Sequence, residues 1–263
     1  MKYTYKKTDI AYDKHGNGKT LILVHGFLEN QKMWQDVVRL LKQDHQVLTL
    51  DLLGHGHSDG LCDIHTMEQQ AMVIKNLMDK HKILKATLIG HSMGGYVSLA
   101  FAEMFPEKLA GLGLLNSHPF ADNAEKKEAR ERAIKTVQLN YEAYVKAAIP
   151  SFFAPDNREK YKKEIQTLIA EALKMTPENI IAALKGMKLR PDRSELFCKR
   201  QTYPKLWVVG KKDPLIDIEK IHDLAANCKG TDYIELSEGH MSYIENREEM
   251  PAVLKRFLQR NDL

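Results

Sequence analysis

The segment of this chain best suited to do chemistry is Gly90-His91-Ser92-Met93-Gly94. A serine flanked by small residues, with Gly95 following, can sit where a strand turns sharply into a helix, because larger side chains would collide there. The β-rich run 86–89 (ATLI) ends just before Gly90, and a helical pattern begins just after Ser92. A turn of this kind lifts the hydroxyl above the sheet and aims the first amides of the helix at it. The chemistry that fits is nucleophilic attack by Ser92 on a carbonyl carbon. The plainer alternative is a glycine-rich turn with an incidental serine, and the strand–turn–helix placement disfavours it.

A serine hydroxyl is a weak nucleophile near neutral pH and needs a base that is itself oriented by an acid. His240 is the candidate base, in Ser237-Glu238-Gly239-His240 after the run 232–236. Asp213 is the candidate acid, in Gly210-Lys211-Lys212-Asp213-Pro214 directly after the apolar run 205–209 (KLWVV). Asp217 lies close by and is the alternative acid, though its bland role is to cap the helix that follows. The chain order is Ser, Asp, His. A tetrahedral transition state also needs amides facing its oxyanion. The main-chain N–H of Phe27, in His25-Gly26-Phe27, and that of Met93 are the candidates.

The elements that must position these residues alternate in type. Residues 20–24 (TLILV), 46–50 (QVLTL), 86–89 and 109–115 read as buried strands, and 31–41, 66–81 and 93–104 as the helices between them. That rhythm predicts a parallel sheet covered by helices on both faces, and residues 2–12 add an antiparallel edge hairpin. From 120 to 200 no strand signal appears. Residues 134–148 predict an amphipathic helix closed off by Pro150 and Pro155, residues 161–173 a second, and Thr176-Pro177-Glu178 starts a third. The alternation resumes at 205–209, with 218–226, 233–236 and 247–259. Residues 120–200 are therefore read as a helical insertion within one α/β domain made of 1–119 and 201–263.

Composition narrows the function classes. The chain has 263 residues, 43% hydrophobic and 28% charged, which is globular composition with enough length for a sizeable core. The formal net charge is only +4, and residues 120–200 hold 17 basic and 12 acidic side chains, so the excess sits in the insertion. So mild an excess predicts a solvated helical surface and no nucleic-acid partner, although it also suits a carboxylate-bearing substrate. No apolar run approaches the length of a membrane span. Three cysteines, Cys62, Cys198 and Cys228, without metal-ligand spacing, and an N-terminus without an apolar run, predict a reduced, cytoplasmic protein.

The pieces HGF at 25–27, DLLGHGHSD at 51–59, GHSMGG at 90–95, the acid after KLWVVG and EGH at 238–240 together resemble the α/β-hydrolase family. The resemblance implies an eight-stranded, mostly parallel sheet flanked by helices, with a helical lid inserted after the sixth strand, where 120–200 falls. It implies a structural turn at His55-Gly56-His57, so these histidines, with His25 and His91, are not expected to hold a metal, and no cofactor is expected. Relatives that open epoxides or remove halide carry aspartate at the nucleophile position. Ser92 instead points to acyl chemistry on a small-molecule substrate, most simply the hydrolysis of a carboxylic ester. The same triad could serve carbon–carbon bond hydrolysis or a lyase, or the fold could serve a ligand-binding receptor with little turnover. Candidate substrate contacts are His118, just past the fourth strand run, and Ile149, Phe152 and Phe153 on the insertion.

Overall fold

The computed structural model describes residues 1–263. In chain order the strands are β1 (Lys2–Tyr5), β2 (Thr8–His15), β3 (Lys19–Val24), β4 (His45–Leu50), β5 (Ala86–His91), β6 (Leu109–Leu115), β7 (Lys205–Gly210) and β8 (Thr231–Leu236). The helices are α1 (Gln35–Leu41), α2 (Met67–Lys80), α3 (Met93–Met104), α4 (Ala124–Ser151), α5 (Lys162–Ala172), α6 (Pro177–Leu189), α7 (Ser194–Cys198), α8 (Ile218–Ala225), α9 (Ser242–Glu245) and α10 (Glu249–Arg260). One eight-stranded sheet runs in the order β1-β2-β4-β3-β5-β6-β7-β8. Only the β1–β2 and β2–β4 pairs are antiparallel; β3 through β8 are mutually parallel.

Parallel strands carry apolar side chains on both faces because helices cover both. In β3, Ile22 and Val24 join the larger core beneath α2 and α3, while Leu21 and Leu23 join the smaller one beneath α1 and α10. The alternation repeats in β7, with Trp207 and Val209 on one side and Leu206 and Val208 on the other. Each such side chain contributes about 1.5–3 kcal/mol on full burial. Register then fixes the working edge. Val24 pairs with Gly90, Gly90 with Leu114, Leu115 with Val208 and Gly210 with Leu236. Five strands thus end side by side, and the loops that leave them converge.

Four helices, α4 to α7, fill the interval between β6 and β7. Local signals explain two of their boundaries: Asn123 accepts from Lys126 N at the start of α4, and Thr176 accepts from Asn179 N at the start of α6. The single helix expected over 134–148 is instead bent at Asn140 (φ −160°, ψ 88°), whose side chain accepts from Ala143 N and starts the second arm afresh. Pro150 lies inside that arm's last turn and does not close it. The expected helix 31–41 likewise begins as a 3-10 turn over Gln31–Trp34, since the Asn30 side chain accepts from Lys32 N. Arg193 ties the far end of the insertion to the core by ion pairs to Glu68 and Glu103.

One expectation drawn from composition is corrected, that the three cysteines are all reduced. Cys198 and Cys228, 30 residues apart in sequence, are paired as a disulfide, and only Cys62 is free. Their spacing gave no sign of this, because the pair is formed where the end of α7 meets the residues just past α8. No helix is long and apolar enough to cross a membrane.

Candidate active site

Ser92 stands between β5 and α3 with φ 50° and ψ −117°, a backbone conformation that side-chain-bearing residues rarely adopt. Close packing makes the turn possible only with glycine on either side. A Cβ on Gly90 would lie 2.2 Å from Gly94 O, and one on Gly94 would lie 2.3 Å from Val24 O. The turn is pinned by Ser92 N donating to Leu115 O (2.9 Å) and by Ser117 Oγ donating to Ser92 O (2.8 Å). Strand pairing, turn and hydroxyl position are therefore one mechanical unit.

The loops after β7 and β8 bring the other two candidates to it. His240 Nε2 is 2.9 Å from Ser92 Oγ, and His240 Nδ1 is 2.7 Å from Asp213 Oδ2. A carboxylate accepts, so Nδ1 carries the proton and Nε2 is left with a lone pair facing the serine hydroxyl. Asp213 is held in turn: Asn116 Nδ2 donates to Oδ2 (3.1 Å) and Leu215 N to Oδ1 (2.9 Å). Its side chain is 1% exposed. Asp217 does otherwise. It is exposed, and its Oδ1 accepts from Lys220 N at the start of α8.

Phe27 follows the end of β3, and Met93 is the first residue of α3; both flank Ser92, and neither main-chain N–H has an acceptor within the protein. Two groups hold the Phe27 loop. His25 accepts from Leu52 N at Nε2 (2.9 Å), which leaves Nδ1 to donate to Gly26 O (2.7 Å). Glu29 Oε2 accepts from Gly26 N (2.7 Å).

Glu29 has a second partner that sequence reasoning missed. His91 Nδ1 is 2.9 Å from Glu29 Oε2, and its Nε2 is 2.9 Å from His240 O. Both ring nitrogens face acceptors, so His91 is an imidazolium paired with a carboxylate, and both side chains are 2% exposed. Burial alone would lower the His91 pKa, but the Glu29 charge and hydrogen bond, with the His240 carbonyl, raise it above the ordinary value. Burial alone would raise Glu29, and His91 takes it below the usual carboxylate range. This buried pair joins the Phe27 loop to the main chain of His240. Nothing in the motif GHSMGG points to Glu29; only the fold places it there.

The remaining histidines go elsewhere. His55, whose pKa burial pushes well down, has Nδ1 3.0 Å from Leu53 O, and His57 N donates to Asp51 Oδ2.

Ser92 opens into a cavity of about 260 Å³ whose wall includes Phe27 and His240, with Tyr96 from α3 and Leu184 and Met187 from α6. The face of α4 that looks into it carries Lys126, Ala129, Arg130 and Ala133, with Tyr144 and Phe152 beyond. The expected substrate contacts divide. Phe152 lines this cavity, its ring 6.2 Å from that of His240. Ile149 and Phe153 do not; Ile149, in the last turns of α4, and Phe153, in the bend just past its end, are both fully buried in the core. His118 is not on this wall either. It lies behind Tyr96, Nε2 3.3 Å from the Tyr96 hydroxyl, and borders a separate hollow of about 70 Å³. Burial, then Arg190, Lys126, Arg130 and Lys220, push its pKa well down.

Comparison with known proteins agrees with this architecture. Residues 19–247 match the profile of the α/β hydrolase fold. The chain is 27% identical over 269 residues to the pimeloyl-[acyl-carrier protein] methyl ester esterase of Photobacterium profundum, covering 96% of this chain and 99% of that protein. It is 24% identical over 268 residues to the enzyme of the same name from Aliivibrio salmonicida, covering 97% and 98%. Among solved structures, a malate-bound thermophilic esterase from Thermogutta terrifontis is 28% identical with a TM-score of 0.90, over 97% of this chain and 94% of that one. The enol-lactonase from Burkholderia xenovorans, at 23% identity and a TM-score of 0.90 over 98% and 100%, shares the fold.

Proposed function

Because this chain belongs to the α/β-hydrolase fold family, we propose that it hydrolyses carboxylic esters through an acyl-enzyme on Ser92. The observation that carries the reading is the unbroken hydrogen-bond chain from Asp213 Oδ2 through His240 to Ser92 Oγ, at 2.7 and 2.9 Å. The esterases among its relatives support the same bond class.

In this mechanism Ser92 Oγ attacks the ester carbonyl while His240 Nε2 takes its proton. The carbonyl oxygen becomes an oxyanion and receives the N–H groups of Phe27 and Met93, which are free to donate. Collapse expels the alcohol, protonated by His240, and leaves the acyl group on Ser92. Water then enters and attacks the acyl carbon while His240 takes its proton; collapse breaks the bond to Ser92 Oγ, His240 returns the proton to that oxygen, and the acid is released. Asp213 keeps the imidazole in the tautomer that each step requires. Residues 120–200 act as a lid over the core made of 1–119 and 201–263. The contribution of α4 and α6 to the cavity wall supports that division, with Phe152 as the lid's contact to the acyl chain.

The test is labelling with a fluorophosphonate together with turnover of 4-nitrophenyl esters of increasing length. Wild type should be labelled and should release nitrophenol; Ser92→Ala should do neither. Labelling undiminished in that variant would remove Ser92 from the mechanism.

A further inference from the structure

Charge on the α4 side of the catalytic cavity is of one sign, while the one acid on its wall, Glu29, lies on the opposite side beside His91. Lys126 and Arg130 lie one turn apart on the face of α4 that looks toward Ser92, and Ala129 and Ala133 beside them leave room. Arg130 and Arg190 share a single carboxylate, that of the buried Asp122. Lys126 has none: its Nζ meets only Leu215 O, at 3.3 Å. The two acids nearest the reaction are committed, Glu29 to His91 and Asp213 to His240.

Lys126 is moreover badly placed for stability alone. It sits in the first turn of α4, three residues past the Asn123 cap, where the helix presents its positive end and an acid would be favoured. A like charge follows at the i+4 position, which further opposes the helix. The residue itself is exposed at the cavity mouth, and partial desolvation of its ammonium, then the charge of Arg190, hold it below the ordinary lysine range, against the pull of Asp122. Arg190 itself is 4% exposed, stacks 3.9 Å from the centre of the Tyr96 ring that lines the cavity, and keeps a buried Nη2 without an acceptor. Three cations and one carboxylate are thus gathered where nothing in the protein completes them.

We propose that the substrate is an ester carrying a carboxylate remote from the scissile bond, received at the cavity mouth by Lys126 with Arg130 beside it. This rests on the ester-hydrolase reading above and narrows its substrate class. The carboxylate lies in either the acyl or the alcohol part; both place an anion on the α4 wall while the carbonyl meets Ser92.

The experiment compares matched pairs: 4-nitrophenyl hydrogen adipate against 4-nitrophenyl hexanoate, and 3-carboxypropyl butyrate against butyl butyrate. In one pair at least, wild type should favour the anionic member by about tenfold in kcat/KM at low salt, mostly through KM, and the preference should shrink in 0.5 M salt. Lys126→Glu should reduce the anionic-to-neutral ratio by about tenfold or more. Its fold should not suffer, since an acid suits the first turn of a helix, and an unchanged melting temperature would show this. No anionic preference in either pair, or a ratio that Lys126→Glu leaves untouched, overturns the proposal. If wild type turned over neither member and fluorophosphonate left Ser92 unlabelled, the ester-hydrolase reading would fall first, which the labelling distinguishes from loss of the anion site alone.

Discussion

The loops at the sheet's carboxyl edge and the α4 face opposite them build one cavity by different means. At the edge, each chemical group is held at least twice: Asp213 by Asn116 and Leu215 N, and His240 by Asp213 at its ring and by His91 at its carbonyl. On the α4 face the groups are side chains of a single helix, with alanines between cations and a lysine bound only to a carbonyl. The first arrangement fixes a reaction; the second leaves a shape and a charge that substitutions can alter without moving the backbone. Substitutions at the edge should therefore cost rate on every substrate, and those on α4 should redistribute it among substrates.

The largest effect is expected at the proposed nucleophile. Ser92→Ala should lower kcat by at least about four orders of magnitude on all esters alike, as read from steady-state rates. The proposed orienting acid comes next. Asp213→Asn should cost roughly ten-thousandfold in kcat by analogy with other triads. Asp217→Asn, which touches only the cap of α8, should leave kcat within about threefold and change stability by about 1 kcal/mol or less. The reverse order would move the orienting acid to Asp217 and break the comparison.

Glu29 tests whether the edge is held together as one piece. Glu29→Gln leaves the His91 cation buried without its counter-charge and should destabilise the protein by about 3–5 kcal/mol. The pH dependence has a definite sign. Glu29 sits below its ordinary 4.5, so its contribution is present above that pH and is lost as pH falls through the depressed value. His91 sits above its ordinary 6.5, so its contribution is present below that pH and is lost as pH rises through the raised value. The melting-temperature gap between wild type and Glu29→Gln should thus be widest between pH 4.5 and 6.5 and should narrow on both sides. A gap that did not vary with pH would mean the pair is not ionised.

The smallest effect, and the most selective, belongs to the insertion. Phe152→Ala should change the ratio of kcat/KM for long against short acyl chains by about tenfold, because Phe152 lines the cavity. Phe153→Ala should leave that ratio alone and lower stability by about 3–5 kcal/mol, since Phe153 is core. A chain-length shift from Phe153→Ala, with none from Phe152→Ala, would place the acyl chain elsewhere.

Much of this could be read along the chain because it depends on near neighbours. Strand runs such as TLILV, the Thr176 cap, the glycines around Ser92 and the Ser–Asp–His order each rest on local sterics, local hydrogen bonds or strand-to-loop succession. The bend at Asn140 escaped because an asparagine side chain competes with the helix only when tertiary packing admits the alternative. The inward turn of Ile149 escaped because periodicity shows which residues share a face and not what that face meets, and that of Phe153 because it lies in a bend past the helix, where no period applies.

By itself, then, the sequence determined a parallel α/β sheet interrupted by helices after 119, and it singled out Ser92, Asp213 and His240. Tertiary structure alone decided that Asp213 and not Asp217 reaches His240, and that Phe152 but neither His118 nor Ile149 meets the cavity. It also decided that Glu29, His91 and the main chain of His240 form one buried unit, and that Lys126 faces Ser92 without a counter-ion. The physical reason is separation along the chain. Each of these contacts joins residues dozens of positions apart, and only strand register and helix docking set the distance between them. A propensity or a cap, by contrast, is fixed within a few bonds of the residue that carries it.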